Sequence, residues 1–158
     1  MALDKEMNAR RKKEGLSEIS KSNTAKLKEN EEASAPTPFN PVEKRFVTVG
    51  EDYVSKFPKA KDTADILYQL AYLNYSHFNL PEAYKAFWGI VQSYPGHPTS
   101  YSSAGLILDI LNRKKEYNKL VAACQKFLAT NTLSKSDFRN EVSGVLDRKS
   151  TRLNSSHV

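Results

Sequence analysis

The amino-acid sequence predicts an all-α chain built from antiparallel helical hairpins repeated along its length. Three observations point there. Apolar residues over 67–95 recur at helical spacing in two blocks joined by a short turn. The same order of large and small residues returns over 99–131. Two helix ends also share an aromatic-Pro close, Lys56-Phe57-Pro58 and Ser93-Tyr94-Pro95.

The hairpin over 67–95 is the clearest. In its first helix Leu67, Leu70, Ala71, Asn74 and Tyr75 share one face, and in its second Ala83, Phe87, Ile90, Val91 and Tyr94 do. Two helices approach closely only where small side chains meet, and Ala71 and Ala83 are placed to do so, with Phe87 and Trp88 filling the space toward the next hairpin. Asn79 can bond a nearby backbone N–H at the turn. Pro81 suits a first helical turn, where no donor is required, and Glu82 suits the positive end of the helix dipole. Tyr94, Pro95, Gly96 and Pro98 then stop the second helix.

In order, Leu67, Leu70, Ala71, Ala83, Phe87, Ile90 and Pro95 fill the packing slots of the tetratricopeptide repeat, which the stretch resembles. Tyr101, Ala104, Gly105 and Leu108 place a similar series on the next first helix, with Ala104 and Gly105 as its small packing residues. Tyr117, Leu120, Cys124, Phe127 and Leu128 form the apolar face of the helix after it, reached through a longer link from Asn112 to Glu116. Residues 42–58 look like the second helix of a preceding unit, through Phe46, Val47, Gly50, Tyr53, Val54 and Phe57. Residues 134–146, with Phe138, Val142, Val145 and Leu146 behind a Ser134 or Ser136 cap, begin a further one. The repeat region is thus 42–146, divided as 42–58, 63–95, 99–131 and 134–146.

The resemblance implies stacking into a tetratricopeptide-like α-solenoid whose concave groove is lined by the first helix of each unit. The groove positions are then Gln69, Tyr72, Asn74, Ser76, Ser102, Ser103, Leu106 and Asp109. Tyr and Asn supply rigid contact area and adaptable hydrogen bonding, which suits a peptide or a partner protein's surface. Tyr72 and Leu106 have packing on neighbouring repeats as an equal alternative. The expected function is a non-catalytic protein–protein interaction scaffold. Aromatic-Pro helix ends followed by Ala-x-x-Leu-Tyr resemble repeats of bacterial envelope assembly proteins, which favours a periplasmic or envelope setting. The alternative is a cytoplasmic regulatory or nucleic-acid-associated adaptor using the basic N-terminal segment.

Both ends differ in character from the repeats. Residues 1–32 alternate in charge, have few apolar residues and read as a disordered or solvated helical segment. Residues 33–41, rich in Pro, form an extended linker from which Phe39 could dock on the first repeat helix. Residues 147–157, DRKSTRLNSSH, match the in-frame translation of what looks like a sequencing-library adaptor. The expectation is that 147–158 is artefactual, that the natural frame is cut near Leu146, and that the apolar face of the last helix lies exposed and frayed.

Charge and chemistry narrow the function further. The chain holds 24 basic and 18 acidic residues, a net +6 that falls to +4 without Asp147, Arg148, Lys149 and Arg152. The dense basic run, Arg10 to Lys13, is flanked by Glu6 and Glu14, so nucleic acid is not expected as a partner. No apolar run approaches the roughly twenty residues a bilayer span requires. Cys124 reads as a core residue. His77 and His97, at hairpin ends, read as solvated, while Asp62 and Asp65 read as dipole-favoured carboxylates at a helix start. No phosphate loop, nucleophile elbow or metal-ligand spacing appears, so neither an enzyme nor a cofactor or metal site is expected.

Overall fold

The protein is described by a computed structural model over residues 35–155, and the expectation for 1–32 lies outside that range. Among the described residues are six α-helices and no strand: α1 Pro41–Lys56, α2 Thr63–Ser76, α3 Leu80–Ser93, α4 Pro98–Arg113, α5 Tyr117–Ala129 and α6 Ser136–Ser155. Consecutive helices pack against one another, and α2 also meets α4. The described residues are therefore all-α, with neighbours in sequence as neighbours in space.

Local chemistry sets the helix starts. A capping box opens α1: Asn40 Oδ1 accepts from Glu43 N–H at 2.8 Å, Glu43 Oε1 accepts from Asn40 N–H at 2.9 Å, and Pro41 occupies the first turn. Asp62 stands at the N-cap of α2 without capping it; its carboxylate accepts instead from the Tyr53 hydroxyl at 2.8 Å, which ties α1 to the start of α2. His97 caps α4, its Nδ1 accepting from Thr99 N–H at 3.1 Å.

The α2–α3 and α4–α5 turns are the same structure. Asn79 N–H donates to Asn74 C=O and Phe78 N–H to Tyr75 C=O; Glu116 N–H donates to Leu111 C=O and Lys115 N–H to Asn112 C=O. Both are Schellman closures, with Phe78 at φ 60° and Lys115 at φ 57° in the left-handed slot usually given to glycine. The second link is thus no longer than the first, correcting the sequence reading; the added length lies in α4, which has 16 residues against 14 in α2. Asn79 likewise makes no side-chain cap, its amide reaching Asn74 Oδ1 at 3.4 Å.

The core runs through α3, α4 and α5. Ala71 and Ala83 are buried at the α2–α3 crossing. Phe87, Ile107, Leu120 and Phe127 are enclosed beyond it, each contributing about 1.5–3 kcal/mol by removal from water. Ser100 fastens α4 to the end of α3, its hydroxyl lying within hydrogen-bonding reach of Ile90 C=O at 3.2 Å and of Tyr94 C=O. Between α1 and α2 the close approach is made at Gly50, where a Cβ would stand 3.2 Å from Leu70 Cδ2.

The last helix is not frayed at Phe138. Val142 is buried against the core, and Phe138, Val145 and Leu146 are half-buried beside it. The helix runs on through residues 147–155, where Lys149 Nζ and Arg152 Cζ lie 5.0 and 5.3 Å from the centre of the Tyr117 ring. Those cation–π contacts, together with Val142, hold α6 on α5.

Candidate functional site

A cleft of about 930 Å³ lies between α4 and α6. Helical periodicity builds both walls. On α4, Tyr101, Gly105, Leu108 and Asn112 fall on one face; on α6, Phe138, Glu141 and Val145 do the same. Leu120 of α5 lies at the bottom. The wall of α4 is lowered at Gly105, which is exposed and whose Cβ, if present, would meet nothing within 4 Å.

One end of the cleft is fixed by Tyr101. Its hydroxyl lies 3.2 Å from Thr132 C=O and accepts from Ser134 N–H at 3.0 Å and Lys135 N–H at 3.3 Å, so it holds the α5–α6 loop against α4. The ring meets Phe138 edge-on with centroids 5.2 Å apart, and Lys135 Nζ stands 4.7 Å from its centre. The exposed carboxylates Asp137 and Glu141 follow along the α6 rim.

The α4 wall is braced from behind. The hydroxyl of Tyr75 on α2 donates to Asp109 Oδ2, Arg113 Nε pairs with the same oxygen at 2.9 Å, and the Arg113 guanidinium lies 5.0 Å from the Tyr75 ring centre. Burial first, and then the adjacent carboxylate, push the Tyr75 phenol well above its ordinary value, keeping it a neutral donor.

The expected groove residues are divided by the fold. Ser102 and Asp109 line the α4–α6 cleft. Gln69, Tyr72 and Ser76 line a separate, shallower depression of about 500 Å³ with Phe46, Tyr68 and Leu73. Ser103 is fully buried on the inner side of α4, Leu106 packs half-buried on the core, and Asn74 is turned to the backbone, its amide 3.4 Å from Leu70 C=O. Of the expected packing residues, Ala104 is buried while Gly105 and Pro95 are exposed. Gly105, Phe138 and Glu141 are among the cleft residues that the repeat pattern did not single out as such. An unfilled small residue beside the packing Ala104 is the signal that marks Gly105.

The hairpin-end histidines are engaged. His77 bridges the chain before α1 to the α2–α3 turn: its Nδ1 lies 2.8 Å from Thr37 Oγ1, its Nε2 lies 2.7 Å from Glu43 Oε2, and its ring meets Phe39 edge-on at 4.9 Å. Thr37 N–H also donates to His77 C=O at 2.9 Å. The Asn40 N–H, and then His77, hold the Glu43 carboxyl below its usual range. Cys124 is fully buried, and burial pushes its thiol up to about 11.

Among the described residues no cluster of His, Cys, Asp or Glu is placed to hold a metal ion, and no helix is long and apolar enough to cross a membrane. No protein-family model, curated protein or solved structure matches the chain.

Proposed function

We propose that this chain is a non-catalytic interaction scaffold of tetratricopeptide-like hairpins, and that it takes a peptide or a segment of a partner protein in the α4–α6 cleft. The observation that supports this most directly is the cleft's make-up. It has an apolar floor with an aromatic end at Tyr101 and Phe138, an opening at Gly105, and a polar rim that includes Ser102, Asn112 and Glu141. Such a surface offers anchoring pockets for side chains and hydrogen-bonding groups for a backbone. Tyr101, Gly105, Phe138, Glu141 and Val145 make up this surface without Arg148 and Lys149, which also line the cleft but fall in the adaptor-like stretch. The aromatic-Pro helix ends support placing the scaffold in a bacterial envelope assembly.

The test is selection of a displayed library of random dodecapeptides on the immobilised full chain, followed by binding of the enriched peptides to a Gly105→Leu variant. Enriched peptides that bind the wild-type chain and lose affinity for the variant are expected. Failure to enrich any peptide, or enrichment indifferent to Gly105→Leu, rejects the cleft as the binding site.

A further inference from the structure

Among the described residues the exposed large hydrophobic side chains are Val42, Phe46, Val49, Phe57 and Tyr72, and all five lie on α1, its C-cap or the adjoining part of α2. Three of them form a stripe. Val42, Phe46 and Val49 stand at i, i+4 and i+7 with 78%, 39% and 60% of their surface in solvent, and Tyr53 continues the line half-buried. The side of α1 that faces α2 is a different one, centred on buried Gly50 with Val47 and Val54 half-buried beside it. Phe46 also borders the depression it shares with Tyr68, Tyr72 and Leu73 of α2, while Val42 and Val49 stay largely in solvent among the described residues.

Charge beside the stripe identifies what covers it. Arg45 lies along its edge in the N-terminal half of α1 and Asp52 along the same edge in the C-terminal half, one heptad later. Arg45 makes no ion pair among the described residues, and Asp52 pairs with Lys56 at 3.0 Å. A basic residue early and an acidic one late does not serve the helix's own dipole. It does serve an antiparallel copy of the same helix, because a two-fold axis perpendicular to both keeps this edge on one side and sets Arg45 of each copy opposite Asp52 of the other. The same register packs Phe46 of one copy between Val49 and Tyr53 of the second.

We propose that the outer face of α1 is a self-association surface, on which a second copy of this chain pairs antiparallel through Val42, Phe46 and Val49, with two reciprocal Arg45–Asp52 ion pairs. The proposal does not depend on the α4–α6 cleft. A single helix pair buries less than the roughly 1,200–2,000 Å² of a stable interface, so the dimer is concentration-dependent and not permanent.

Sedimentation velocity on the full chain, from low micromolar to near-millimolar concentration, is expected to show a reversible monomer–dimer equilibrium. Phe46→Glu weakens it by at least about tenfold, as loss of a central apolar anchor does. Arg45→Asp and Asp52→Arg each weaken it by about tenfold, and the double reversal, which restores both pairs with exchanged signs, recovers the wild-type constant to within about threefold. All variants alter exposed side chains, and unchanged circular dichroism confirms folding. A chain monomeric throughout the range overturns the proposal, as does a dimer indifferent to Phe46→Glu or one that the double reversal fails to restore.

Discussion

Replacing Gly105 separates stability from binding at the cleft. Glycine inside a helix is less favourable than alanine by about 0.8–1 kcal/mol, because it gives up more backbone freedom on folding. At most buried positions a clash offsets that gain. Here a Cβ on Gly105 would meet nothing within 4 Å, and the same is true of Gly89 on α3, which is exposed but lies outside the cleft. Each Gly→Ala change is therefore expected to recover nearly the full increment. Placed on different helices, the two should add. For a folded region of this size about 1 kcal/mol corresponds to a melting shift of roughly 3–5 °C. Leucine at either site keeps most of the helix gain, but only at Gly105 does it project into the cleft.

Urea melts of the four single variants and affinities for peptides selected on the wild-type chain supply the two readouts. Gly89→Leu and Gly105→Leu should both be more stable than wild type. Peptide affinity should fall at least about tenfold in Gly105→Leu alone, since filling a pocket denies the anchor residue its site. Loss of stability in Gly105→Ala would show that α4 is closely packed there and that no cleft opens at that point. Equal affinity for all four variants would mean that the peptides bind elsewhere.

Lys115→Gly should stabilise the chain by about 0.5–1 kcal/mol, because φ 57° is costly for a side chain bearing a Cβ, whereas Lys114→Gly at φ −77° should destabilise it by a similar amount; chemical denaturation of both gives the signs. Tyr75→Phe should cost about 1–2 kcal/mol by leaving Asp109 without its phenolic donor. In the wild type the raised Tyr75 value favours folding fully below the ordinary phenol range and loses that contribution as pH rises above it. Ultraviolet titration should thus show Tyr75 ionising last, after Tyr53 and Tyr68, whose phenols are also raised above the ordinary value. Glu43 has the opposite sign: its lowered value stabilises above the ordinary 4.5, and the contribution disappears as pH falls through the folded value. Glu43→Gln should flatten the acid limb of a stability–pH curve, and an unchanged limb would show that neither the Asn40 N–H nor the His77 bridge holds the carboxyl below its usual range.

The parts of the fold legible in the sequence are those fixed by apolar periodicity and small residues. The α2–α3 hairpin could be read because Ala71 and Ala83 are the only way two such helices come close, and both are buried. Its turn was legible in position but not in kind. A Schellman closure is advertised by Gly or Asn at the left-handed residue, and here Phe78 and Lys115 take it, so nothing local announced that the two turns are alike. Gly105 was misread for a related reason. Adjacent Ala104 and Gly105 are both small, but successive residues on a helix are separated by a large rotation, so only one can face the neighbouring helix. Ala104 does, and Gly105 is left on the open side. The same rotation buries Ser103 beside exposed Ser102, which divides a pair that sequence spacing alone assigned to one groove. His77 reads as solvated in the sequence because its partners, Thr37 and Glu43, are more than thirty residues away and a strap that precedes the helix leaves no short-range pattern.

The two walls of the cleft differ in how they are held, and this bears on how it would select a partner. The α4 wall is tied across to α2 through Tyr75, Asp109 and Arg113, a charge-assisted cluster partly shielded from solvent. Displacing α4 would expose the phenol and separate an ion pair. The α6 wall is joined to α4 through Tyr101, whose contacts are to the loop backbone at Thr132, Ser134 and Lys135 and to the ring of Phe138, all at one end of the cleft. From that end α6 rests on α5 through Val142, half-buried Val145 and Leu146, and the contacts of Lys149 and Arg152 on the Tyr117 ring. On the proposed function, shape discrimination falls to the face of α4 around Gly105, held by the Tyr75–Asp109–Arg113 cluster.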